Sequence, residues 1–445
     1  MRLLKKPLRK IPWKRGLLPP CYRSRGIITK FGGSKMKFKA LFGLLAAGLM
    51  ATSAANATEL EVMHWWTSGG EAAAVGEFAK AFDATGDKWV DAAFAGPGEQ
   101  ARAIMVSRIT GGDPMGAFQF NHGRQAEDLI EAGLLLDLTE VAEAEGWKDV
   151  VNPSKLLDAC TVDGRIYCTP VNIHSWQWLW LSRKAYQDAG IAVPTNWDEF
   201  VAAAPKLEAA GKLPLAVGQQ GWQQTGLFNV LMVSLVSTEI FQKVYGDKDA
   251  GLAAGPEVAR VFKAAADARE ISKNSTVQSW NEATNLVITG QAGGQIMGDW
   301  AQGEFSVAQQ TAGDEYECLP GLGVVEVLST GGDAFYFPKL DDPEKEAAQK
   351  RMAALLLKPA VQVAFNLKKG SLPVRGDIDL STANGCMKKG LKLLAEKKLL
   401  PDTNLLITPD TSSQLLDLFT EFFADKSMSP EAAQERFVDI IAQAD

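Results

Sequence analysis

The chain has 445 residues, 46 Lys+Arg against 53 Asp+Glu, 46% hydrophobic and 22% charged. That length suits two or three domains, and the composition excludes disorder along the whole chain and a small disulfide-stapled scaffold. A net charge of −7 argues against a basic nucleic-acid binder. The distribution strengthens that: residues 1–39 hold thirteen Lys/Arg and no acid, and all 53 acids follow Ala57.

Around Met36 the pattern is that of a secretory signal. Lys37 and Lys39 form a short basic region, Ala40 to Met50 an apolar core too short to span a membrane, and Ala55-Asn56-Ala57 an A-x-A cleavage signature. Cleavage is expected after Ala57. Met36 is then the expected start, and residues 1–57 are an upstream basic segment plus signal peptide. The mature protein is expected in the periplasm, as a monomer.

Four cysteines remain after cleavage: Cys160, Cys168, Cys318 and Cys386. No CxxC occurs, so redox and zinc-ribbon spacings are absent. Among three pairings, Cys160–Cys168 with Cys318–Cys386 is favoured. Asp163-Gly164 marks a hairpin turn between the first two. A two-residue loop sets Cys160 opposite Tyr167, whereas a three-residue loop sets it opposite Cys168. This pairing therefore calls for the longer turn.

In chain order, Leu60–Trp66 reads as a buried strand. Residues 70–84 have helical spacing (Ala74, Phe78, Ala81, Phe82), and Trp89–Phe94 is a second strand. A helix near 98–110 leads to a strand at Ala117–Phe120. This alternation predicts an α/β lobe with a parallel sheet. A helix over 123–133 ends at Gly133. Ile166–Leu181 looks extended and rich in tryptophan. Helices follow near 182–189, 197–210, 225–245 and 256–270. Short strands are expected at Gln295–Met297 and Val324–Leu328. Glu344–Leu357 is a helix, Phe365–Arg375 a kinked segment, and helices near 385–398 and 411–443 close the chain.

Catalytic devices are not evident. GxSxG, HExxH, GxxxxGK[ST] and GxGxxG are absent, and His64, His122 and His174 show no metal spacing. No cofactor and no metal is expected. A carboxylate pair for glycoside hydrolysis is the rival reading, but no spacing singles one out. Tryptophan stands out instead. Trp66, Trp222 and Trp300 each sit beside glycine and polar residues, at strand ends or in loops. A flat indole suits the apolar C–H face of a pyranose, while planar polar side chains suit its hydroxyl rim. Trp89, Trp147 and Trp197 read as core.

Several segments together resemble the family 1 extracellular solute-binding proteins, most nearly the glucose/mannose-binding components of bacterial ABC importers. They are His64-Trp65-Trp66-Thr67-Ser68-Gly69-Gly70-Glu71, Asn121-His122, Cys168–Ser175, Ile296–Trp300, Gly332-Asp333 and Lys368–Pro373. The resemblance covers essentially all of 58–445. It implies an α/β, two-lobed periplasmic-binding-protein fold of type II, each lobe a sheet flanked by helices. Three crossing segments would lie near Val171–Trp176, Ser329–Asp333 and Lys369–Arg375. Lobe 1 would be 58–170 and 334–370; lobe 2 would be 171–330 and 376–445. It implies no enzyme, but a protein that binds a monosaccharide, glucose or a close relative, and delivers it to membrane permease subunits. Oligosaccharide binding and chemosensing are the neighbouring alternatives. The resemblance implies that a Trp of the Trp65-Trp66 pair faces Trp300 across the sugar, with Glu71, His122, Asp333 and Lys369 as polar contacts; with Trp222 from the tryptophan pattern and Asp299 beside Trp300, the expected ligand-binding set is Trp65, Trp66, Glu71, His122, Trp222, Asp299, Trp300, Asp333 and Lys369. The pattern departs near Pro409, where Asp410-Thr-Ser-Ser replaces an expected histidine.

Overall fold

The computed structural model describes residues 57–445. The upstream basic segment, Met36 and the apolar stretch of the expected signal lie outside the described residues.

The elements that position the cleft are, in chain order, strand β1 (Glu59–His64), helix α1 (Gly69–Asp83), β2 (Lys88–Ala93), α2 (Gly98–Thr110), β3 (Ala117–Asn121), β4 (Cys168–Pro170), β5 (Trp178–Ser182), β6 (Leu213–Leu215), α3 (Gly221–Leu235), β7 (Ala292–Ile296), α4 (Ala301–Val307), β8 (Tyr316–Pro320), β9 (Asp333–Tyr336), α5 (Pro359–Lys369), α6 (Gly385–Ala395) and α7 (Pro409–Ala424). One sheet runs β2-β1-β3-β9-β4 and a second runs β8-β5-β7-β6. Each has its own apolar core, the first built on Leu60, Phe78, Phe118 and Phe335, the second on Leu179, Phe228, Phe262 and Phe419. The protein is thus two α/β lobes.

The first sheet is only partly parallel. β1 pairs parallel with β2 and β3, as the β-α-β-α-β alternation predicts, but β9 returns from the second lobe and pairs antiparallel with both β3 and β4. No local pattern in 117–121 signals a partner more than two hundred residues away. The chain crosses between lobes three times: from β4 to β5, from β8 to β9, and from α5 towards α7. The crossings lie side by side. Ile173 and Leu372 exchange backbone hydrogen bonds of 2.7 and 3.0 Å, and the His174 N–H donates to the Gly331 carbonyl at 3.1 Å. Helix α6 touches both lobes: Met387 and Leu393 join the first core, while Cys386 is bonded to Cys318 on β8.

Several expected elements are divided by specific residues. The 225–245 helix ends at Leu235, because Val236 is extended and Ser237 caps a new helix, Thr238–Tyr245, accepting from the Ile240 N–H. The 411–443 helix breaks likewise, at extended Asp425. Ser429 then caps Pro430–Ala442, whose proline fits the first turn. The strand expected at Val324–Leu328 is mostly a turn. Gly321, Leu322 and Gly323 all have positive φ, and only Leu328–Ser329 pairs, with Leu399–Leu400. Residues 124–131 are a 3-10 turn followed by a five-residue helix, not a continuous helix over 123–133.

Both disulfides are present, with Cα separations of 5.1 Å for Cys160–Cys168 and 6.0 Å for Cys318–Cys386. The longer hairpin turn is not needed. Val162 pairs with Arg165 across the two-residue loop Asp163-Gly164, both at positive φ. The Tyr167 N–H donates to the Cys160 carbonyl, and the bridge forms diagonally to the next residue. The register count, Cys160 opposite Tyr167, holds; what fails is the requirement that the bridged cysteines stand directly opposite, because Cys160 lies just outside the ladder, after the Lys155–Asp158 helical turn.

The lobes meet most closely where α1 crosses α4. A β-carbon on Gly70 would stand 2.6 Å from the backbone carbon of Gly303, and the Gly70 N–H donates to Glu304 Oε1 at 2.7 Å. The obstacle is backbone, so it cannot rotate away. Gly70→Ala is expected to destabilise the protein by about 1–3 kcal/mol through overpacking, read as a lower denaturation midpoint. An unchanged midpoint would mean that α4 can retreat without cost.

Candidate functional site

A cleft of about 300 Å³ is lined by residues of both lobes. Of the expected set it brings together Trp65, Trp66, Glu71, Trp222, Trp300, Asp333 and Lys369. Strand ends and helix termini deliver them, as expected for ligands outside the carboxyl ends of strands in open α/β sheets.

From the first lobe come Trp66, just past β1, Glu71 in the first turn of α1, and Lys369, the last residue of α5. Trp66 is fixed from behind by Phe365 and Phe335, at ring-centroid distances of 5.3 and 5.8 Å. Glu71 sits one turn from the cap Ser68, which accepts its N–H, so its place at the helix start is partly a capping role. Lys369 ends α5 because Gly370 turns the chain at φ 90°. A β-carbon there would meet the Asp299 carbonyl at 2.8 Å. The Lys369 ammonium is buried and donates to Glu71 Oε1 at 2.9 Å.

The second lobe contributes Trp300, immediately before α4. It stands edge-on to Trp176, with centroids 4.8 Å apart, and Trp176 in turn meets Trp222 at 5.6 Å. The two lobes converge on Lys369: its ammonium lies 5.5 Å from the Trp66 ring centroid and 5.8 Å from that of Trp300. Indoles from opposite lobes therefore flank one buried, ion-paired lysine.

Asp333 lies at the edge of the cleft and is held by four side chains. Gln119 and Asn121 donate to Oδ1 at 2.9 and 3.3 Å, Asn172 donates to Oδ2 at 2.9 Å, and His174 Nδ1 lies 3.4 Å from Oδ2. Burial pushes its pKa up, but His174, with Lys369 and Asn172, outweighs this and holds the carboxyl well below the usual range. Burial lowers His174, yet Asp333, helped by Asp402 and Asp299, more than offsets it and raises the imidazole above its ordinary value.

Two expected contacts lie outside the cleft lining. His122 is buried beneath Gly332 of the second crossing, where a β-carbon would come within 2.4 Å of its Nε2. Burial, with His174 nearby, pulls its pKa down to about 3. Asp299 turns away from the cleft towards the first crossing. Its Oδ2 accepts from the Ser175 N–H and hydroxyl at 3.0 and 2.9 Å. Residues that the sequence did not single out also line the cleft, notably Arg102, His174, Trp176, Trp280 and Asn404. Trp176 carried the clearest signal, as one of the clustered tryptophans. Near Pro409, where a histidine was expected, Ser412 and Leu416 supply the wall.

Residues 65–362 match the family of bacterial extracellular solute-binding proteins. The chain belongs to this family. It is 36% identical over 362 residues to a protein of Rhizobium meliloti (strain 1021) named as a probable sugar-binding periplasmic protein, covering 81% of this chain and 86% of that one. Among solved structures it resembles a chitin oligosaccharide binding protein (TM-score 0.72, 21% identity, 87% of this chain and 99% of the other). It also resembles a maltose-bound MalE3 of T. maritima (TM-score 0.70, 17% identity, 86% and 99%).

In this solute-binding protein Asp299 gives a pH signature. Burial raises its pKa from 3.8 to about 7, against the opposing pull of His174, Ser175 and Lys369. A raised folded-state pKa means that the associated stability is present below pH 4 and is lost as pH rises towards 7. Wild type is therefore expected to lose stability relative to Asp299→Asn over that window, by at most about 1.4 kcal/mol per pH unit. Denaturant titrations of both proteins from pH 4 to 8 check this; a pH-independent difference would contradict it.

Proposed function

We propose that the protein reversibly captures a neutral sugar in the periplasm, with a hexopyranose, glucose or a close relative, in the inner position between Trp66 and Trp300. It then delivers the sugar to the permease of an ABC importer. The observation that carries this reading is the convergence of two indoles from opposite lobes on the Glu71–Lys369 pair. The indoles offer flat faces for the ring, and the ammonium and carboxylate offer donors and acceptors for its hydroxyls.

Neutrality follows from charge balance. Glu71 compensates Lys369, and His174 compensates Asp333, so a charged ligand would meet no unpaired counter-ion in the inner position between Trp66 and Trp300. Binding without turnover is favoured for a related reason. Asp333 is held well below the usual carboxylate range, so it is not set up as the raised-pKa acid that glycoside hydrolysis requires, and Glu71 is committed to its bond with Lys369. The name of the Rhizobium relative and its share of the chain also support a sugar as the solute. Lobe closure on the sugar is a hinge motion at the three crossings. The boundaries 58–170 and 334–370 for lobe 1, and 171–330 and 376–445 for lobe 2, belong to this proposal.

Calorimetric titration with a panel of neutral hexoses is expected to give saturable heat with at least one. Trp300→Ala is expected to weaken that binding at least tenfold, about 1.4 kcal/mol. Absence of heat with every sugar would refute the reading, and unchanged affinity in the variant would remove Trp300 from the site.

A further inference from the structure

Asp299 has no task in the sugar-binding reading, yet it is buried one residue before Trp300. Three bonds fasten the turn that carries Trp300 to the first crossing. The Asp299 backbone N–H donates to the Ser175 carbonyl at 2.9 Å, and Asp299 Oδ2 accepts from the Ser175 N–H and hydroxyl. Ser175 is held in its turn, because its Oγ accepts from Trp178 Nε1 at 2.8 Å. The two residues beside Ser175 are the ones that wedge Trp300. The His174 ring stands 5.3 Å and the Trp176 ring 4.8 Å from it, both edge-on. The Asp299–Ser175 fastening therefore sets the angle at which Trp300 meets the cleft.

The other carboxyl oxygen is the unexplained one. Asp299 Oδ1 is buried and finds no donor among the described residues, and neither does Gln302 Oε1 in the first turn of α4. Both side chains border one small pocket at the third crossing, with no room for a water molecule. Gln302 cannot help by turning its amide over, because its Nε2 donates to the Gly370 carbonyl at 2.9 Å. Two acceptors without a donor on one pocket call for a proton, and Asp299 is the residue that can carry it. The charges agree. Two cations, Lys369 and His174, stand among four acids: Glu71, Asp333, Asp402 and Asp299. Lys369 is bonded to Glu71 and His174 lies against Asp333, so an ionised Asp299 would have no cation of its own. The rest of the pocket adds no charge: Trp178, Trp180, Leu372 and Met387 are neutral, and Cys386 is held in its disulfide. Burial accordingly pushes Asp299 up to about 7, against the pull of His174, Ser175 and Lys369.

We propose that Asp299 fastens Trp300 to the first crossing as the neutral acid, and that sugar binding is linked to one proton on this positioning residue. This rests on the sugar-binding reading above and deepens it with a regulation of the same site. The proton turns Oδ1 into a donor facing the pocket that Gln302 Oε1 shares, while Oδ2 keeps its bonds from Ser175. When the proton leaves, the carboxylate competes with Glu71 for Lys369 and with Asp333 for His174, and draws both cations from the cleft. Sugar displaces water from the same region, which makes that charge costlier still. Bound sugar therefore favours the protonated form. Affinity is full below about pH 7 and falls as pH rises beyond it.

Calorimetry on wild type and Asp299→Asn from pH 6 to pH 9 tests this, with the tightest binder among glucose, galactose and mannose. The amide keeps the neutral state at every pH. The ratio of wild-type to Asp299→Asn affinity is expected to be near one at pH 6 and to fall at least about fivefold by pH 9. His174 is present in both proteins, so its own titration largely cancels in that ratio. Asp299→Ala leaves Ser175 without its acceptor and is expected to weaken binding about tenfold or more at pH 6; thermal melts check that each variant folds. A ratio that does not change with pH, or an Asp299→Ala variant that folds and binds like wild type at pH 6, overturns the proposal and leaves the sugar-binding reading standing. If none of the three sugars binds wild type at any pH, the sugar-binding reading falls and the linkage with it.

Discussion

A buried lysine bonded to a buried glutamate is the constraint around which the cleft is organised. Desolvating the Lys369 ammonium and the Glu71 carboxylate is costly, and their mutual attraction offsets that cost only while both are held in contact. Two helix ends of the first lobe supply that rigidity: the capped start of α1 and the glycine-terminated end of α5. Once fixed, the pair presents charge to a space walled by Trp66 and Trp300. A ligand that replaces lost water contacts with hydroxyl groups enters without stranding either ion.

The second lobe reaches this pair because small residues let it. Gly70 and Gly303 bring α1 and α4 into near backbone contact, and a β-carbon on Gly303 would lie 3.1 Å from the Lys369 carbonyl. Behind this contact the crossings carry a polar network beside the apolar packing of Val171, Ile173, Leu372 and Val374: Asp333 with its four partners, Asp299 with Ser175, and Ser329 with Asp402. Hydrogen bonds of fixed geometry in a region of low dielectric give the crossings a definite register.

Much of this was readable from residue order. The β-α-β-α-β start, the two cysteine pairs, and Trp66, Glu71, Trp300, Asp333 and Lys369 as cleft residues all follow from patterns within a few residues of each position or from resemblance. What escaped depends on distant partners. The antiparallel insertion of β9 beside β3 has no local signature. Neither does the turning of Asp299 away from its neighbour Trp300 towards Ser175, nor the burial of His122 under Gly332. Arg102 escaped for another reason. In sequence it is an ordinary helix arginine like Arg108, and only the presence of Glu61 beside one and an open cleft beside the other separates them.

The central claim is that a sugar ring lies between indoles of opposite lobes with the Lys369 ammonium at its rim. A crystal structure with the sugar that calorimetry selects tests it directly. The account predicts a pyranose against Trp66 and Trp300, with hydroxyls within hydrogen-bond distance of Lys369 Nζ and Glu71. Ligand density elsewhere, or a Lys369 that makes no contact with the sugar, would contradict it.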